Sequence, residues 1–455
     1  MTFFRQPISL LACTLIGLLA LPLAHAEELQ MASADDEITQ EDVTYRFQAT
    51  YIWQRKSAFN SPRGDGPHSL GSAIARSYTA TETAYLGFRP WENGEFYFNP
   101  EITQGVPFSE LAGTGGFTNG ELTRTAGTYP KLYRQRLFLR QTFGLGGGEE
   151  QIESDVNQMA GKVDKNRLVL TVGNFSSLDV FDDNKYAKDP RTQFMNAGFM
   201  APLAYDYAAD ARGFGWGFSL EWFQDDWVYR IGRMTGPMQP NMLPTDYRIF
   251  KHYGDQVEVE HSYSLMGQPG KFRVLAWRNK ANIASFNDAL NYFQTSANSD
   301  PQSISYVRGS DKVKYGLGIN LEQDINENLG FFMRAMKADG KTETLAFTET
   351  DGSISTGLSI KGGNWQRPKD TVGVGYLYNT ISKERRDYLA AGGISFFLGD
   401  GYLNYRPEQI FETYYSFNAR KNFYVTADYQ RIWNPGYNAD RGPVDFGALR
   451  FHIEF

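Results

Sequence analysis

The sequence consists largely of segments of about ten residues in which apolar and polar residues alternate. Alternation with a period of two predicts β-strands with one apolar and one polar face. About ten residues are enough for a tilted strand to cross a bilayer, and single-chain bacterial barrels have an even number of strands. The sixteen predicted strands are 45–53, 76–89, 94–104, 132–143, 167–175, 214–224, 227–234, 255–265, 271–279, 311–323, 329–338, 371–380, 393–399, 408–419, 422–432 and 446–455.

The connections between these segments alternate in length almost throughout, as in barrels with short periplasmic turns and long external loops. The short connections are 90–93, 225–226, 266–270, 324–328 and 420–421. The long connections are 54–75, 105–131, 176–213, 235–254, 280–310, 339–370 and 433–445, and the long periplasmic connection 144–166 is an exception. A soluble β-repeat protein should show self-similar repeats, which are not evident. We therefore predict an all-β fold, a transmembrane antiparallel β-barrel of about sixteen strands over residues 45–455.

The N-terminal segment predicts export. Arg5 precedes an apolar run and Ala24-His25-Ala26, the pattern of a cleavable signal peptide over residues 1–26, with a short leader over 27–44. The run is short for a spanning helix. Cys13 is the one cysteine and lies in this segment, so the exported chain would contain no disulfide. Aromatic residues make up 15% of the chain and favour membrane interfaces. These features together predict the bacterial outer membrane.

The polar faces of the predicted strands contain the first candidates for a lumen wall. Arginine facing hydrocarbon would cost several kcal/mol at depth, about 2–4 per residue, so we place the charged row of each strand inward. Each such charge could either pair with another across the wall or meet a solute, and the sequence leaves both possibilities open. The inward residues predicted in this way are Arg134, Arg136, Arg140, Tyr97, Asn99, Glu101, Glu258, Glu260, Thr426, Asp428, Gln430, Arg450, His452 and Glu454.

The connection 176–213 is too apolar for a freely solvated loop. Met195, Phe199, Met200, Leu203, Tyr205 and Tyr207 need a surface to pack against. We predict that this loop folds into the barrel as a constriction loop. Folding inward would present four charged side chains to the lumen, namely Arg191, Asp206, Asp210 and Arg212. The acidic cluster Asp179, Asp182, Asp183 and Asp189 could alternatively hold calcium, but it lacks the spacing and the glycine of an EF-hand.

Several longer motifs resemble a known family. "FNPEITQG" (98–105), "RLFLRQTFGLGG" (136–147), "DPRTQFMN" (189–196), "YDYAADARG" (205–213), "QDDW" (224–227) and "NPGYNADRGPV" (434–444) resemble the outer-membrane carbohydrate-selective porins of the OprB type. The resemblance extends from about Tyr45 to Phe455. It implies a sixteen-stranded barrel that admits sugars by facilitated diffusion through a charged and aromatic eyelet. Carried over by motif, Arg136, Arg140 and Glu101 are the first candidates for that eyelet.

Sugar passage suits these residue types. Arginine and glutamate can hydrogen-bond hydroxyl groups, and arginine does so in a fixed fork geometry. Aromatic rings such as Tyr97 and Trp277 could stack on the apolar C–H faces of a sugar. The predicted partners are therefore a carbohydrate solute, outer-membrane lipid and, through the terminal Phe455, the barrel-insertion machinery. We expect a monomer or a homotrimer, with neither cofactor nor metal.

Other functions are less compatible with the sequence. A formal net charge of −7 without a basic field argues against nucleic acid as a partner. An enzyme would need a nucleophile setting, but no G-x-S-x-G motif accompanies the histidines His68, His252, His261 and His452. A gated receptor for large ligands would need about 22 strands and an N-terminal plug domain. A channel for another small solute, such as an acidic sugar, an organic acid or an anion, remains open because of the predicted arginine row.

Overall fold

The computed structural model describes residues 40–122, 126–296, 303–347 and 349–455. Within these ranges, sixteen antiparallel strands form one closed barrel and two further strands form a separate hairpin. The predicted signal peptide and most of the predicted leader lie outside the described residues. The barrel strands are β1 (Val43–Lys56), β2 (Ala75–Trp91), β3 (Gly94–Val106), β4 (Lys131–Gly144), β7 (Arg167–Phe175), β8 (Gly215–Gln224), β9 (Trp227–Met234), β10 (Tyr253–Leu265), β11 (Gln268–Asn282), β12 (Asp311–Asn326), β13 (Leu329–Ala338), β14 (Gly352–Gly362), β15 (Arg367–Thr380), β16 (Glu408–Arg420), β17 (Phe423–Trp433) and β18 (Val444–Glu454). The hairpin consists of β5 (Glu149–Ile152) and β6 (Gly161–Asp164).

The barrel closes by pairing its first strand with its last. The register between β1 and β18 extends from Gln48 opposite Glu454 to Lys56 opposite Phe446. Every other barrel strand pairs with its neighbours in chain order, apart from β4 and β7, which pair directly across the inserted hairpin. Closure leaves no unpaired sheet edge, which a strand in lipid could not tolerate. The predicted sixteen-stranded antiparallel barrel is therefore confirmed.

One predicted strand is wrong and one strand of the barrel was missed. Residues 393–399 form a loop, where Ile394, Phe397 and Leu398 are buried among other loops. Their apolar character therefore reflects loop packing. The missing strand, β14, lies within the predicted connection 339–370. Its inward side chains include Ser353 and Ser355. Serine is a weaker sequence signal for a barrel strand than an aromatic or charged residue. The two errors compensate, so the strand count was still correct.

The two faces of the strands differ as the alternation predicts. On β10, Val257 is 50% exposed, whereas its neighbours Gln256 and Glu258 are buried. On β18, Leu449 is exposed, whereas Arg450 and His452 are buried. An apolar outer face suits lipid and a polar inner face suits a lumen.

The predicted inward position of Arg134 is wrong because β4 contains a bulge. Asn99 of β3 pairs with Arg136, and the next residue, Pro100, pairs with Arg134, so that Gln135 is the extra residue. A bulge shifts the alternation by one position. Tyr133 and Gln135 consequently turn inward and are buried, and Arg134 is exposed on the outer face. Its guanidinium lies over the Trp216 ring, 4.9 Å from the ring centre.

The long loops fold over one end of the barrel and into it. They contain the short helices α1 (Ala197–Met200), α2 (Phe286–Thr295) and α3 (Lys383–Ala390). Buried rings such as Phe286 and Tyr388 join α2 and α3 in one apolar cluster. Among the described helices, none is both long and apolar enough to cross a membrane. We refer to the two ends of the barrel as the long-loop end and the short-turn end.

We predict that Gly217→Ala weakens the barrel. A methyl group at Gly217 of β8 would lie 2.2 Å from the backbone carbonyl oxygen of Arg233 on β9, and a paired backbone cannot move away cheaply. The free energy of unfolding should fall by about 1–3 kcal/mol, measured as a lower urea midpoint of the folded form on heat-modifiability gels. Gly447→Ala on β18 is the matched control, because no atom lies within 4 Å of the added methyl. Equal midpoints for the two variants would contradict the prediction.

Candidate functional site

The loop 176–214 lies inside the barrel against the inner wall. Its apolar side chains Met195, Phe199 and Tyr205 are almost fully buried. The Phe194 ring packs against wall aromatics from two separate strands, with 5.5 Å to Phe332 and 5.0 Å to Tyr414 between ring centres. These rings account for the apolar composition of the loop, because they fill space between the loop and the wall.

Arg191 fixes this loop to the wall on the side of β2 and β3. Its guanidinium donates to Glu101 of β3 at 2.7 Å and to Glu121 of the loop 107–122 at 2.6 Å. Tyr133 and Gln135 of β4 also donate to the Glu101 carboxylate. All five side chains are buried, so Arg191 and Glu101 are structural anchors and present little surface to a solute. Charges in this setting are stable only when they are paired.

A second anchor lies on the opposite wall. Arg334 of β13 forms an ion pair with Asp182 of the loop at 2.9 Å. The backbone N–H of Asp182 donates to Glu258 at 2.8 Å. Arg230 of β9 holds both Glu258 and Glu260, each at 2.9 Å. The predicted acidic residues of β10 therefore contribute to holding the loop, through Glu258, and Arg230 compensates the charge of Glu258 and Glu260.

A third group of contacts fixes the end of the loop. Asp206 accepts hydrogen bonds from the backbone N–H groups of Leu345 and Ala346 and pairs with Lys314 at 3.1 Å. On β17, Gln430 donates to the Thr118 carbonyl and accepts from Asn196 of the loop. Its neighbour Asp428 is likewise buried. The predicted lumen positions Asp206, Asp428 and Gln430 are thus buried as supports for the loops.

The two aromatic side chains expected to stack on a solute are enclosed. Tyr97 is fully buried, packs against Phe138 and donates its hydroxyl to Glu95. Trp277 is also buried, beside Tyr205 and Met336. Neither ring presents a free face, so the expectation that they contact a sugar is wrong for this structure. The inserted loop and the connection after β4 cover them, which the strand pattern alone could not indicate.

Charged groups that remain accessible form a row along the loop and β4. Arg136 donates to both carboxylate oxygens of Asp179 at 2.8 and 2.6 Å, and these side chains are 16% and 27% exposed. Lys188 pairs with Asp183 at 2.5 Å, with 40% and 44% exposure. Further toward the short-turn end, Arg140 lies 3.4 Å from Glu95. Cations and anions alternate along this row.

The ion pairs of this row perturb the acidity of the two loop carboxyls. Burial alone would raise the pKa of Asp179, but Arg136 beside it holds that pKa below its ordinary value. Burial alone would also raise the pKa of Asp183, but Lys188 together with Arg273 holds that pKa below its ordinary range. Both carboxyls therefore remain ionised at neutral pH.

An open cavity of about 720 Å³ lies among the loops. Its walls include the rings of Phe117, Tyr207, Phe347 and Phe397 and the side chain of Arg212. Arg212 also lies over the Tyr133 ring, 4.5 Å from its centre. Asp210, predicted to face the lumen, accepts hydrogen bonds from the backbone N–H groups of Arg212 and Phe214 and so shapes the turn beneath this cavity.

The acidic cluster of the loop does not gather around a common point. Asp179, Asp182 and Asp183 pair with three different cations, Arg136, Arg334 and Lys188. Within the described part of the chain, no group of three carboxylate or imidazole side chains is placed to hold a metal ion. The structure thus gives the calcium alternative no support.

Sequence reasoning did not single out several residues that shape this site. Glu95 lies in the same inward row as Tyr97 and Glu101, so the alternation of β3 contained the signal for it. Lys188 lies five positions after Asp183 in an irregular loop, where no periodicity identifies the partner of a charged residue. Glu121 belongs to another loop, and its contact with Arg191 depends on how the two loops fold together.

Comparison with known proteins identifies the family of this barrel. Residues 87–455 match the family described as carbohydrate-selective porin, OprB family. The chain belongs to this family. The structure is similar to OprB of Pseudomonas putida, with a TM-score of 0.65 and 16% identity over 90% of this chain and 94% of that chain. No curated protein matches the sequence.

Other solved porins are less similar to this one. A BenF-like porin from Pseudomonas fluorescens gives a TM-score of 0.47 and 9% identity, covering 91% of this chain and 99% of that chain. OmpT of Vibrio cholerae gives a TM-score of 0.45 and 10% identity, covering 91% and 100%. Family membership and fold together make this protein a carbohydrate-selective porin of the outer membrane, a channel and not an enzyme.

We predict that Arg191→Met destabilises this porin strongly. The substitution leaves Glu101 and Glu121 buried without their cation, and such a loss typically costs about 3–5 kcal/mol of unfolding free energy. The urea midpoint followed by tryptophan fluorescence should fall accordingly. Arg420→Met is the matched control, because Arg420 is exposed at the end of β16, and its effect should stay within about 0.5 kcal/mol. Similar midpoints would show that Arg191 is not an anchor.

We also predict that Asp179 and Asp183 contribute to the acid sensitivity of the fold. Their folded-state pKa values lie below the unfolded values, so their ion pairs stabilise the protein above the unfolded pKa. That stabilisation should be lost as the pH falls from about 4 downward. Urea midpoints measured between pH 7 and pH 2 should therefore fall less in an Asp179→Asn, Asp183→Asn double variant. An unchanged pH slope in this variant would assign the sensitivity to other carboxyls.

Proposed function

We propose that the inserted loop 176–214 forms the constriction of this porin. The two accessible ion pairs at this loop, Arg136 with Asp179 and Lys188 with Asp183, would form its eyelet. Arg136 and Asp179 lie at the junction of the loop with β4, and Lys188 and Asp183 continue the row. The observation that carries the proposal is that these ion pairs keep exposed surface, whereas predicted charges such as Arg191 and Glu101 are enclosed as anchors.

The alternation of charge in this row favours a neutral, hydroxylated solute. Arginine and lysine donate hydrogen bonds to hydroxyl oxygens, and the aspartates accept hydrogen bonds from hydroxyl groups. Two cations and two anions leave the row without a net charge to attract an ion. Such side chains can bind a sugar through several weak hydrogen bonds and still release it, as passage requires.

The cavity among the loops would serve as the entrance to this eyelet. Its aromatic walls offer apolar surface to the C–H faces of a sugar, and Arg212 at its edge offers donors to the hydroxyl groups. We therefore propose facilitated diffusion of monosaccharides or small oligosaccharides.

The second candidate is a channel for an acidic sugar, an organic acid or another anion. Arg136 and Arg140 on one strand are the observation that favours it. Both cations have a carboxylate partner within 3.4 Å, which lowers their attraction for a free anion. For this reason we rank neutral sugars first.

Assembly and insertion are part of the same proposal. Phe455 is exposed at the end of β18 and its ring stacks on Phe47 of β1, 6.5 Å away between centres. An exposed terminal ring on the closing strand suits recognition by the barrel-insertion machinery. The inserted channel would act as a monomer or as a homotrimer.

The proposed eyelet predicts the behaviour of single channels in planar bilayers. Purified protein should open small channels whose current falls as neutral sugar is added. Arg136→Ala should weaken this block by roughly ten- to hundredfold, because one charge-assisted hydrogen bond contributes about 1.5–3 kcal/mol. Arg420→Ala, at the exposed end of β16, is the control and should leave the block unchanged.

Two outcomes would argue against the eyelet. Current that neutral sugar does not affect but organic anions block would favour the second candidate. Sugar block that is equally strong in Arg136→Ala and in the wild type would remove Arg136 from the eyelet.

A further inference from the structure

The long connection after β4 folds back into the short-turn end of the barrel. Residues 145–166 join β4 to β7 and contain the hairpin of β5 and β6, whose last pair is Ile152 opposite Gly161. Between these two residues lies a segment of eight residues, 153–160, which we call the hairpin tip. The other connections at this end that join consecutive barrel strands are short turns.

The hairpin tip contacts side chains that point into the lumen. Asn157 accepts a hydrogen bond from Asn99 of β3 at 2.9 Å, and its carbonyl oxygen accepts one from Arg140 of β4 at 2.8 Å. Ser154 accepts from Arg46 of β1 at 2.9 Å. A hydrogen-bonded barrel wall has no gaps. A segment that contacts inward side chains of three strands must therefore lie within the mouth of the barrel.

Buried contacts hold the hairpin tip in this position. Met159 is only 2% exposed and belongs to the same apolar cluster as Tyr97 and Phe138. The backbone of Ala160 exchanges hydrogen bonds with Glu41, donating to its carboxylate and accepting from its N–H. The tip is thus packed as part of the folded protein.

The hairpin tip and the inserted loop meet the same row of β3. Arg191 of the loop binds Glu101, and Asn157 of the tip binds Asn99, two positions further along the strand. Two positions on a strand correspond to roughly 7 Å. The wall at β3 is therefore covered from both ends, which confines a passing solute to the remaining part of the lumen, beside β4. Beside β4, the solute would meet Arg136 first and Arg140 second. The hairpin tip holds Arg140 next to Glu95.

We propose that the hairpin tip is a second constriction, at the short-turn mouth, and that Asn157, Arg140 and Glu95 form a second polar contact for the sugar as it leaves. This end faces the periplasm in barrels of this class. The inference goes beyond the eyelet of the inserted loop, since it rests on separate residues at the other end. The channel should then contain two narrow segments in series, the eyelet and the hairpin tip. Removing one of them should leave the electrical resistance of the other in place.

The first test removes the hairpin tip and keeps the hairpin. Replacing residues 153–160 by Asn-Gly joins Ile152 to Gly161 through a two-residue turn, the preferred connection of a tight hairpin. Single-channel conductance should rise about twofold, because the narrowest segments dominate the resistance of a pore. Block by neutral sugar at the eyelet should persist. Unchanged conductance in a correctly folded variant would overturn the proposal, whereas loss of sugar block alone would count against the eyelet and not against the tip.

The second test does not depend on a deletion. In a Cys13→Ser background, Asn157→Cys places a single thiol at the hairpin tip. Reaction with a bulky cationic methanethiosulfonate from the short-turn side should lower the conductance of open channels stepwise. Gln151→Cys is the matched control, since Gln151 is exposed on β5 of the same hairpin, and its modification should leave the conductance unchanged. Modification of Asn157→Cys without a change in conductance would show that the tip lies outside the path.

Discussion

The pairing of β1 with β18 is the constraint on which the rest of the structure depends. A bilayer offers no water to backbone N–H and C=O groups, so every strand must find two partners. Closure through nine residue pairs between these two strands removes the last free edges. The closed wall then has an outside that must be apolar and an inside that is free to be polar. All chemistry specific to this porin is therefore on the inner face and in the segments that fold against it.

Several charges on that inner face are buried against the loops that they hold. Arg334, Glu258 and Glu101 each bind a part of the inserted loop and are buried by it. Water that would otherwise solvate these groups is replaced by fixed partners of opposite charge. The accessible ion pairs, such as Arg136 with Asp179, are those that the loops do not cover. The proposed eyelet therefore depends as much on which charges the loops enclose as on which charges the strands carry.

The sequence was sufficient for the architecture because a single rule, alternation with lipid on one side, acts on almost every strand. It failed at β14, whose inward residues are small, and at residues 393–399, whose apolar side chains pack between loops. It also failed at Arg134, because one extra residue at Gln135 reverses the alternation locally. The roles of the inward residues were harder to predict. Whether Tyr97 or Arg191 meets a solute depends on contacts between segments far apart in the chain, which a period of two does not encode.

The anchors of the inserted loop also have a mechanical consequence. Arg191 ties the loop to β3, Asp182 ties it to β13, and the N–H groups of Met195 and Asn196 donate to Glu412 of β16. A barrel wall that a loop ties together at three strands resists deformation better than a wall without such contacts. Flattening this barrel would stretch buried ion pairs across its diameter. We therefore expect the loop to help the barrel keep its cross-section under lateral pressure from the surrounding membrane.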